Sequence, residues 1–278
     1  MMRELKKYEE LTIVDNFMFG KVMRDPGRCK KLLEIILKVK IRKVVLLEEE
    51  YTMNPSYLGK SIRLDILLED DVNTIYDVEM QAENSDSVPK RSRYYQSTMD
   101  INLLEQGKNY KELRKSFIIF ICVFDLFRYG LPIYHFRNLC VENPRIGLGD
   151  QTEKIFLNVK AYDKCEDEEL QNLLKYFACR VPQDTYTREL EDTVMAIVDD
   201  KALKMEYMSA WARECDLRDA GREEGKIDAI LLLLKNKGQV PDALIETINA
   251  VEEEAKLDEY LLLAAKVDSI EEFLNVIE

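Results

Sequence analysis

Residues 59–81, GKSIRLDILLEDDVNTIYDVEMQ, decide the fold of this chain. Ile, Leu, Val and Tyr dominate both halves of the stretch, which predicts strands over Ser61 to Glu69 and Thr74 to Gln81. The Asp/Asn-rich residues 70–73 between them are typical of a turn. The stretch therefore predicts an antiparallel β-hairpin.

The register of this hairpin brings two carboxylates together. If the turn is centred on Val72, Asp65 lies opposite Glu79, and opposed side chains on one face have Cβ atoms about 4.5–5.5 Å apart. The period of two along a strand then puts Gln81 on the same face as Glu79. Directly opposed like charges destabilise a sheet, so the pair needs a compensating charge. One carboxylate could point to solvent or pair with Arg63; alternatively both hold a divalent cation, for which carboxylate oxygens are suitable ligands.

The spacing of these residues resembles a known family. Asp65, a gap of 13 residues and then Glu79-Met80-Gln81 resemble the metal-binding core of the PD-(D/E)XK nucleases. More narrowly, RLDILLED and YDVEMQ resemble the recombination-promoting nuclease (Rpn) family, in which Gln stands where most of the superfamily has Lys. The resemblance covers roughly residues 12 to 160. Further matching segments lie on both sides of the hairpin: Asp15 to Phe19, Arg91 with Tyr94 and Tyr95, Gly107 with Tyr110, Phe117 to Phe127, and Tyr134 to Phe136.

The resemblance implies both a fold and a chemistry. The fold is α/β: a restriction-endonuclease-like mixed sheet flanked by helices, followed here by an all-α C-terminal region. The activity is a Mg²⁺- or Mn²⁺-dependent cleavage of DNA that can promote recombination. Asp65 and Glu79, with the backbone carbonyl of Met80, would hold the metal, and Gln81 would complete the catalytic set. Gln81 can orient water but carries no charge and is no base, so the general base stays open.

A cation-rich helix is predicted after the hairpin. Residues Lys90 to Lys108 read as a helix whose first turn carries Arg91, Arg93 and Tyr95. Cations at a helix N-terminus oppose the macrodipole. A docked phosphate would explain this placement, and so would pairing with nearby carboxylates; both explanations stay open. Arg91, Arg93 and Tyr95 are therefore candidate DNA-contacting residues. For Tyr95, the alternative is a core or orienting residue.

Two accessory candidates and one excluded residue complete the site prediction. Asp15 is a candidate for an outer metal contact from the first helix, or alternatively the N-cap of that helix. Arg63 lies two residues before Asp65 and is the other accessory candidate. His135 is the single histidine of the chain and is predicted to be structural, because no second His, Ser or Cys is arranged around it.

Charge divides the chain into two parts. The net charge is −13, yet residues 1–160 contain 26 Lys and Arg against 24 Asp and Glu, whereas residues 161–278 contain 14 against 29. The first part can therefore still present a basic face to phosphates. We predict a nuclease-like domain over residues 1–162 and an acidic helical region over 163–278 that serves interaction or homo-oligomerisation.

The remaining composition predicts a cytoplasmic protein. The charged residues 1–10 are not followed by an apolar stretch, so the sequence predicts no signal peptide. Its longest apolar run, Phe117 to Phe124, is far below the ~20 residues of a membrane span. Six scattered cysteines without a C-x-x-C pair argue against a zinc site or a disulfide framework and are expected to be reduced.

A second function from another class is compatible with the same fold. A protein with this fold that no longer cleaves DNA would act as a DNA-binding or partner-binding module, with the acidic helices recruiting another protein. The presence of both Asp65 and Glu79 favours the enzyme.

Overall fold

The computed structural model describes residues 6–53, 62–104, 106–251 and 253–277, with the exception of the side chains of residues 47–53, 62, 63, 214 and 217. Its strands form one mixed sheet in the order β1-β2-β3-β4-β6-β5. These strands are β1 (Val44–Met53), β2 (Ile62–Asp70), β3 (Ile75–Gln81), β4 (Ser116–Cys122), β5 (Ile133–Phe136) and β6 (Thr152–Asn158).

Helices flank the sheet and then continue to the C-terminal end of the described residues. The α-helices are α1 (Asn16–Val22), α2 (Pro26–Leu37), α3 (Val88–Leu103), α4 (Glu168–Cys179), α5 (Thr185–Val198), α6 (Lys201–Lys235), α7 (Asp242–Asn249), α8 (Glu254–Lys266) and α9 (Ile270–Ile277). This arrangement confirms the α/β fold class, a mixed sheet flanked by helices with further helices after it.

The predicted hairpin is the centre of the sheet. β2 and β3 pair antiparallel from Glu69↔Ile75 to Ile66↔Val78, which is the predicted register. The Asp70 carboxylate closes the turn by accepting the Val72 and Thr74 N–H groups at 3.0 and 2.8 Å. Ser61, the predicted first residue of the hairpin, lies outside the described residues.

The middle of the sheet is buried on both faces. β3 and β6 run parallel to β4, with Gln81 beside Cys122 and Cys122 beside Asn158 at their carboxyl ends. Every residue of β4 is buried, as expected for a continuous apolar run in a parallel strand. α3 covers one face through Val88, Tyr95 and Met99, and α1 contacts β2 and β3.

The helices that follow the sheet also pack on the first helices. The Tyr186 hydroxyl of α5 donates to the Arg28 carbonyl of α2 at 2.8 Å, and the Tyr8 hydroxyl donates to the Ile197 carbonyl at 2.7 Å. Consequently the compact units divide at Lys204, later than the boundary predicted at residue 162. The division of function between residues 1–162 and 163–278 stays a prediction.

The second compact unit, Met205–Glu278, has a hydrophobic core of its own. Residues from four helices supply this core, including Ile230 and Leu234 of α6, Leu244 of α7, Leu257 of α8 and Phe273 of α9. Throughout the described segments, we find no helix that is both long and apolar enough to cross a membrane.

Candidate active site

Asp65 and Glu79 meet across the open end of the hairpin. The last described pair of the β2–β3 ladder is Ile66↔Val78, and the next residues are Asp65 and Glu79. The Asp65 N–H donates to Glu79 Oε1 at 2.8 Å, and the Met80 N–H donates to Asp65 Oδ2 at 3.0 Å. Each carboxylate thus accepts a backbone N–H from the opposite strand, so the structure brings the two predicted acids together.

Met80 presents its backbone to the same place. Val123 N–H donates to the Gln81 carbonyl, so Gln81 turns its backbone groups toward β4. Met80, the residue before it, turns its own N–H and C=O toward β2, where its N–H already meets Asp65. Its carbonyl oxygen therefore lies on the side of β3 that faces Asp65.

Arg91 joins three of the predicted residues. From the first turn of α3, it donates to Gln81 Oε1 at 2.8 Å and to the Tyr95 hydroxyl at 3.0 Å. Its guanidinium also lies 3.6 Å from Glu79 Oε2. For Arg91, the structure therefore shows pairing with a nearby carboxylate, which is one of the two explanations of this cation-rich turn.

Gln81 and Tyr95 are held in place by this arginine. The Gln81 amide donates to the Glu83 carbonyl at 2.6 Å while its oxygen accepts from Arg91, so both of its polar atoms are bonded. Tyr95 is buried against Phe120, and burial followed by the charge of Glu79 raises the pKa of its hydroxyl to about 12. Tyr95 is thus a neutral orienting residue in the core.

A third carboxylate, Asp77, was missed by the sequence reasoning. It lies two residues before Glu79 on β3, on the same face, and its side chain is fully buried. Neither of its carboxylate oxygens has a hydrogen-bond partner among the described residues. The period of two was the signal that could have found it, because Asp77, Glu79 and Gln81 alternate along one face.

Burial and mutual repulsion keep these acids from ionising easily. Burial raises the pKa of Asp77 well above its ordinary value and the charge of Asp65 adds to the rise, which contact with Glu79 and the charge of Arg91 oppose. Burial likewise raises the pKa of Glu79, followed by the charges of Asp77 and Asp65. Three neighbouring acids with one arginine leave this end of the hairpin short of positive charge.

The shortage of positive charge fits a divalent cation. The carboxylate oxygens of Asp65 and Glu79 are hard ligands of the kind that Mg²⁺ or Mn²⁺ prefers, and Asp77 is a third buried acid beside them. Within the described ranges, no set of three or more His, Cys, Asp or Glu side chains is arranged to hold an ion. The ion would therefore use two carboxylates and complete its shell with water and phosphate oxygens, as Mg²⁺ commonly does.

No described contact joins the other predicted residues to the carboxylate cluster of Asp65, Asp77 and Glu79. Arg93 is exposed on α3, and none of its described contacts reaches the carboxylates. Asp15 stands at the N-cap position of α1, but its side chain accepts from Thr12 and pairs with Lys6 at 2.6 Å. The side chain of Arg63 lies outside the described residues.

His135 belongs to a separate polar cluster on β5. Its imidazole contacts the buried Glu153 carboxylate, to which Arg137 donates at 2.9 Å. These contacts fit the structural role that the sequence predicts for this histidine.

Comparison with known proteins shows that the similarity to a nuclease family includes helices that follow the sheet. The family model described as PD-(D/E)XK nuclease family transposase matches residues 18–227, which include the hairpin, α3, α4, α5 and most of α6. Neither the curated proteins nor the solved structures gave a match. The matched segment is about three quarters of the chain and contains every residue of the carboxylate cluster. The chain therefore belongs to the PD-(D/E)XK nuclease family transposases.

Proposed function

We propose that this chain is a metal-dependent DNA endonuclease whose cuts promote recombination in the cytoplasm. PD-(D/E)XK nucleases generally use divalent metal ions, and here the ion would be Mg²⁺ or Mn²⁺. The observation that carries the proposal is a pair of hydrogen bonds across the two strands: the Glu79 carboxylate accepts the Asp65 N–H, and the Asp65 carboxylate accepts the Met80 N–H, which brings the two acids close together.

The residues around that point have distinct tasks in hydrolysis. Asp65, Glu79 and the Met80 carbonyl would hold the ion at the end of β3. When bound, a divalent cation neutralises charge on the phosphodiester and lowers the pKa of a water molecule. Gln81 helps to hold Arg91 in position, and the scissile phosphate would lie over this end of the hairpin.

Arg91 supplies the positive charge that the superfamily usually obtains from Lys. Gln81 is neutral, but its Oε1 accepts from the guanidinium of Arg91, whose side chain is 35% exposed. A guanidinium can donate to Glu79 and Gln81 and still keep N–H groups for a phosphate oxygen, because it has five donors. We therefore assign phosphate contact to Arg91, with Arg93 as a more peripheral cation.

A plasmid cleavage assay tests the proposal. Supercoiled DNA is incubated with the wild type in Mg²⁺ or in EDTA, and with Asp65→Asn and Glu79→Gln in Mg²⁺. We expect cleavage by the wild type in Mg²⁺ alone, and a loss of about 100-fold or more in either variant, equivalent to about 2.7 kcal/mol of transition-state stabilisation. Asp86→Asn is the matched control, since it removes an exposed carboxylate just before α3.

Two outcomes would contradict the endonuclease. Cleavage that persists in Asp65→Asn would remove the proposed site. DNA binding without cleavage by the wild type under every metal condition would favour the alternative, a DNA- or partner-binding module whose engaged Gln81 no longer serves hydrolysis. Assembly of copies through the C-terminal helices stays a prediction, which the molar mass in solution would test.

A further inference from the structure

The catalytic edge of the sheet contains a second feature, the turn after β4. The carboxyl ends of β3, β4 and β6 lie side by side at Gln81, Cys122 and Asn158. In open sheets with parallel strands, ligands bind outside these carboxyl ends. The segment that leaves β4 stays beside the site, because the Val123 N–H donates to the Gln81 carbonyl at 3.2 Å.

The turn of residues 125–130 is firmly held. The Asp125 carboxylate accepts the Arg128 N–H at 2.9 Å, the Gly130 N–H at 2.7 Å and the Tyr134 hydroxyl at 2.7 Å. Arg128 and Gly130 both have positive φ, at 63° and 69°. The backbone between them is therefore fixed in a tight, specific conformation.

Packed aromatic rings place this turn on the same face of the sheet as Arg91. The Phe127 ring lies 5.2 Å from the Phe156 ring, measured between centroids. Phe156 stacks on Phe120 at 5.6 Å, and the Arg91 guanidinium lies 5.7 Å from the centroid of Phe120. The turn is thus two aromatic rings away from the proposed phosphate contact.

The tip of the turn has an exposed aromatic ring and two cations nearby in the chain or in space. Tyr129 is 82% exposed, and Arg128 beside it is also exposed. The ammonium of Lys164 lies so close to Gly130 that a Cβ atom there would be 2.7 Å from it. Neither Arg128 nor Lys164 forms an ion pair with any other residue of the described segments. The acid nearest to Lys164 in sequence, Asp163, is itself exposed.

We propose that Tyr129 stacks on an unpaired base of the DNA, while Arg128 and Lys164 contact the adjoining phosphates. This inference rests on the proposed function and names its substrate class: DNA with a single-stranded stretch beside the cleavage point. Stacking on an exposed ring requires a free base face, which a duplex offers only where its strands separate. Single-strand-binding surfaces likewise combine exposed aromatic rings with cations that contact the backbone phosphates.

Equilibrium binding without metal tests the inference in the full-length protein. Fluorescence anisotropy in EDTA measures binding to a single strand, a blunt duplex and a duplex with a single-stranded overhang. We expect Tyr129→Ala to bind the single strand and the overhang about 10-fold more weakly than wild type, with little change on the blunt duplex. Tyr129→Phe, which keeps the ring, should bind like wild type.

Tyr110→Ala is the matched control. Tyr110 is also 82% exposed, but it precedes Ser116 and thus lies before the opposite, amino-terminal end of β4. We expect no change in its binding to any of the three DNAs.

The results separate this inference from the proposed function. Binding of single-stranded DNA by Tyr129→Ala at wild-type affinity would overturn the stacking contact and leave the endonuclease standing. An equal loss in Tyr129→Phe or in Tyr110→Ala would also overturn it. A wild type that binds none of the three DNAs would contradict the proposed function and this inference together.

Discussion

Asp65 and Glu79 stabilise the end of the hairpin even before a metal is considered. Each accepts a backbone N–H of the opposite strand, so the carboxylates replace the main-chain acceptors of the ladder where it ends. A carboxylate has about four lone-pair sites, so each retains acceptor capacity for an ion. The same contacts therefore organise the site in advance and leave it ready for a cation.

Asp77→Asn should stabilise the metal-free protein at neutral and alkaline pH. The pKa of the Asp77 carboxyl is raised in the folded state, chiefly by burial, so the folded protein binds more protons than the unfolded chain between the two pKa values. Stability is then lost as pH rises through this window. We expect a higher melting temperature for Asp77→Asn at pH 8, by about 2–4 °C for each kcal/mol gained, and a smaller gain at pH 4.

Thermal melting in EDTA from pH 4 to pH 8 measures this effect. Asp86→Asn, an exposed carboxylate, is the control and should melt like wild type throughout. A melting temperature of Asp77→Asn that is below wild type at pH 8 would mean that the ionised carboxylate is stabilising, which contradicts the orphaned environment described for it.

Arg91→Lys should weaken the site although it keeps the charge. A lysine ammonium cannot reproduce the guanidinium contacts with Gln81, Tyr95 and Glu79 together. We expect a loss of about 1–3 kcal/mol in the free energy of unfolding, typical of hydrogen bonds to charged groups, together with weaker DNA binding. Urea unfolding measures the first quantity. A variant as stable as wild type would contradict the prediction that these three contacts stabilise the folded protein.

At the scale of elements, the strands of the hairpin were predictable and the helix bounds were less so. Alternation and turn chemistry specified β2, β3 and their register. The prediction for α3 was wrong at both ends: it begins at Val88, and it stops at Leu103 because Leu104 takes an extended conformation. Local helix propensity does not include tertiary packing, so it could not predict that the helix ends before Gly107.

The period of the strands and the spacing of the acidic residues were enough to predict part of the site. Opposition of Asp65 and Glu79 follows from the turn alone, and Asp77 could have been added by the same period. The contact between Arg91 and Glu79 depends on how α3 packs on the sheet, and no local sequence pattern predicts this packing. The position of the turn of residues 125–130 at the same edge of the sheet depends likewise on the parallel pairing of β3 with β4.

The N-cap of α2 offers a test at this scale. The Asp25 carboxylate accepts the Arg28 N–H at 2.9 Å, one of the donors that the helix itself leaves unsatisfied. We expect Asp25→Ala to lower the free energy of unfolding by about 1 kcal/mol. Asp199→Ala, at the C-terminal end of α5, should be neutral or slightly stabilising, since an acid there opposes the helix dipole. Equal losses in both variants would contradict the assignment of the cap.

At the scale of the whole molecule, most of the net negative charge and the carboxylate cluster lie in different compact units. All members of the carboxylate cluster lie in the unit Met1–Lys204, whereas the unit Met205–Glu278 contains 8 Lys and Arg against 18 Asp and Glu. Most of the net charge of −13 therefore lies outside the unit that contains the site. An acidic unit repels DNA, so it should reduce the affinity that the first unit has by itself.

Removal of residues 205–278 should strengthen DNA binding at low salt. The remaining 204 residues contain 32 Lys and Arg against 35 Asp and Glu, so the net charge falls in magnitude from −13 to −3. We expect about threefold or tighter binding in 50 mM salt and a smaller difference in 300 mM salt, because salt screens long-range repulsion. A folded truncated protein that no longer binds DNA would show that the second unit takes part in the DNA interface.

A crystal structure of the wild type soaked with Mn²⁺ tests the central claim most directly, because manganese is located by its anomalous scattering. The account predicts a strong anomalous peak within coordination distance of both the Asp65 and the Glu79 carboxylates, which is absent from Asp65→Asn crystals treated in the same way. A wild-type structure without manganese at these residues, or with manganese bound only elsewhere, would contradict it.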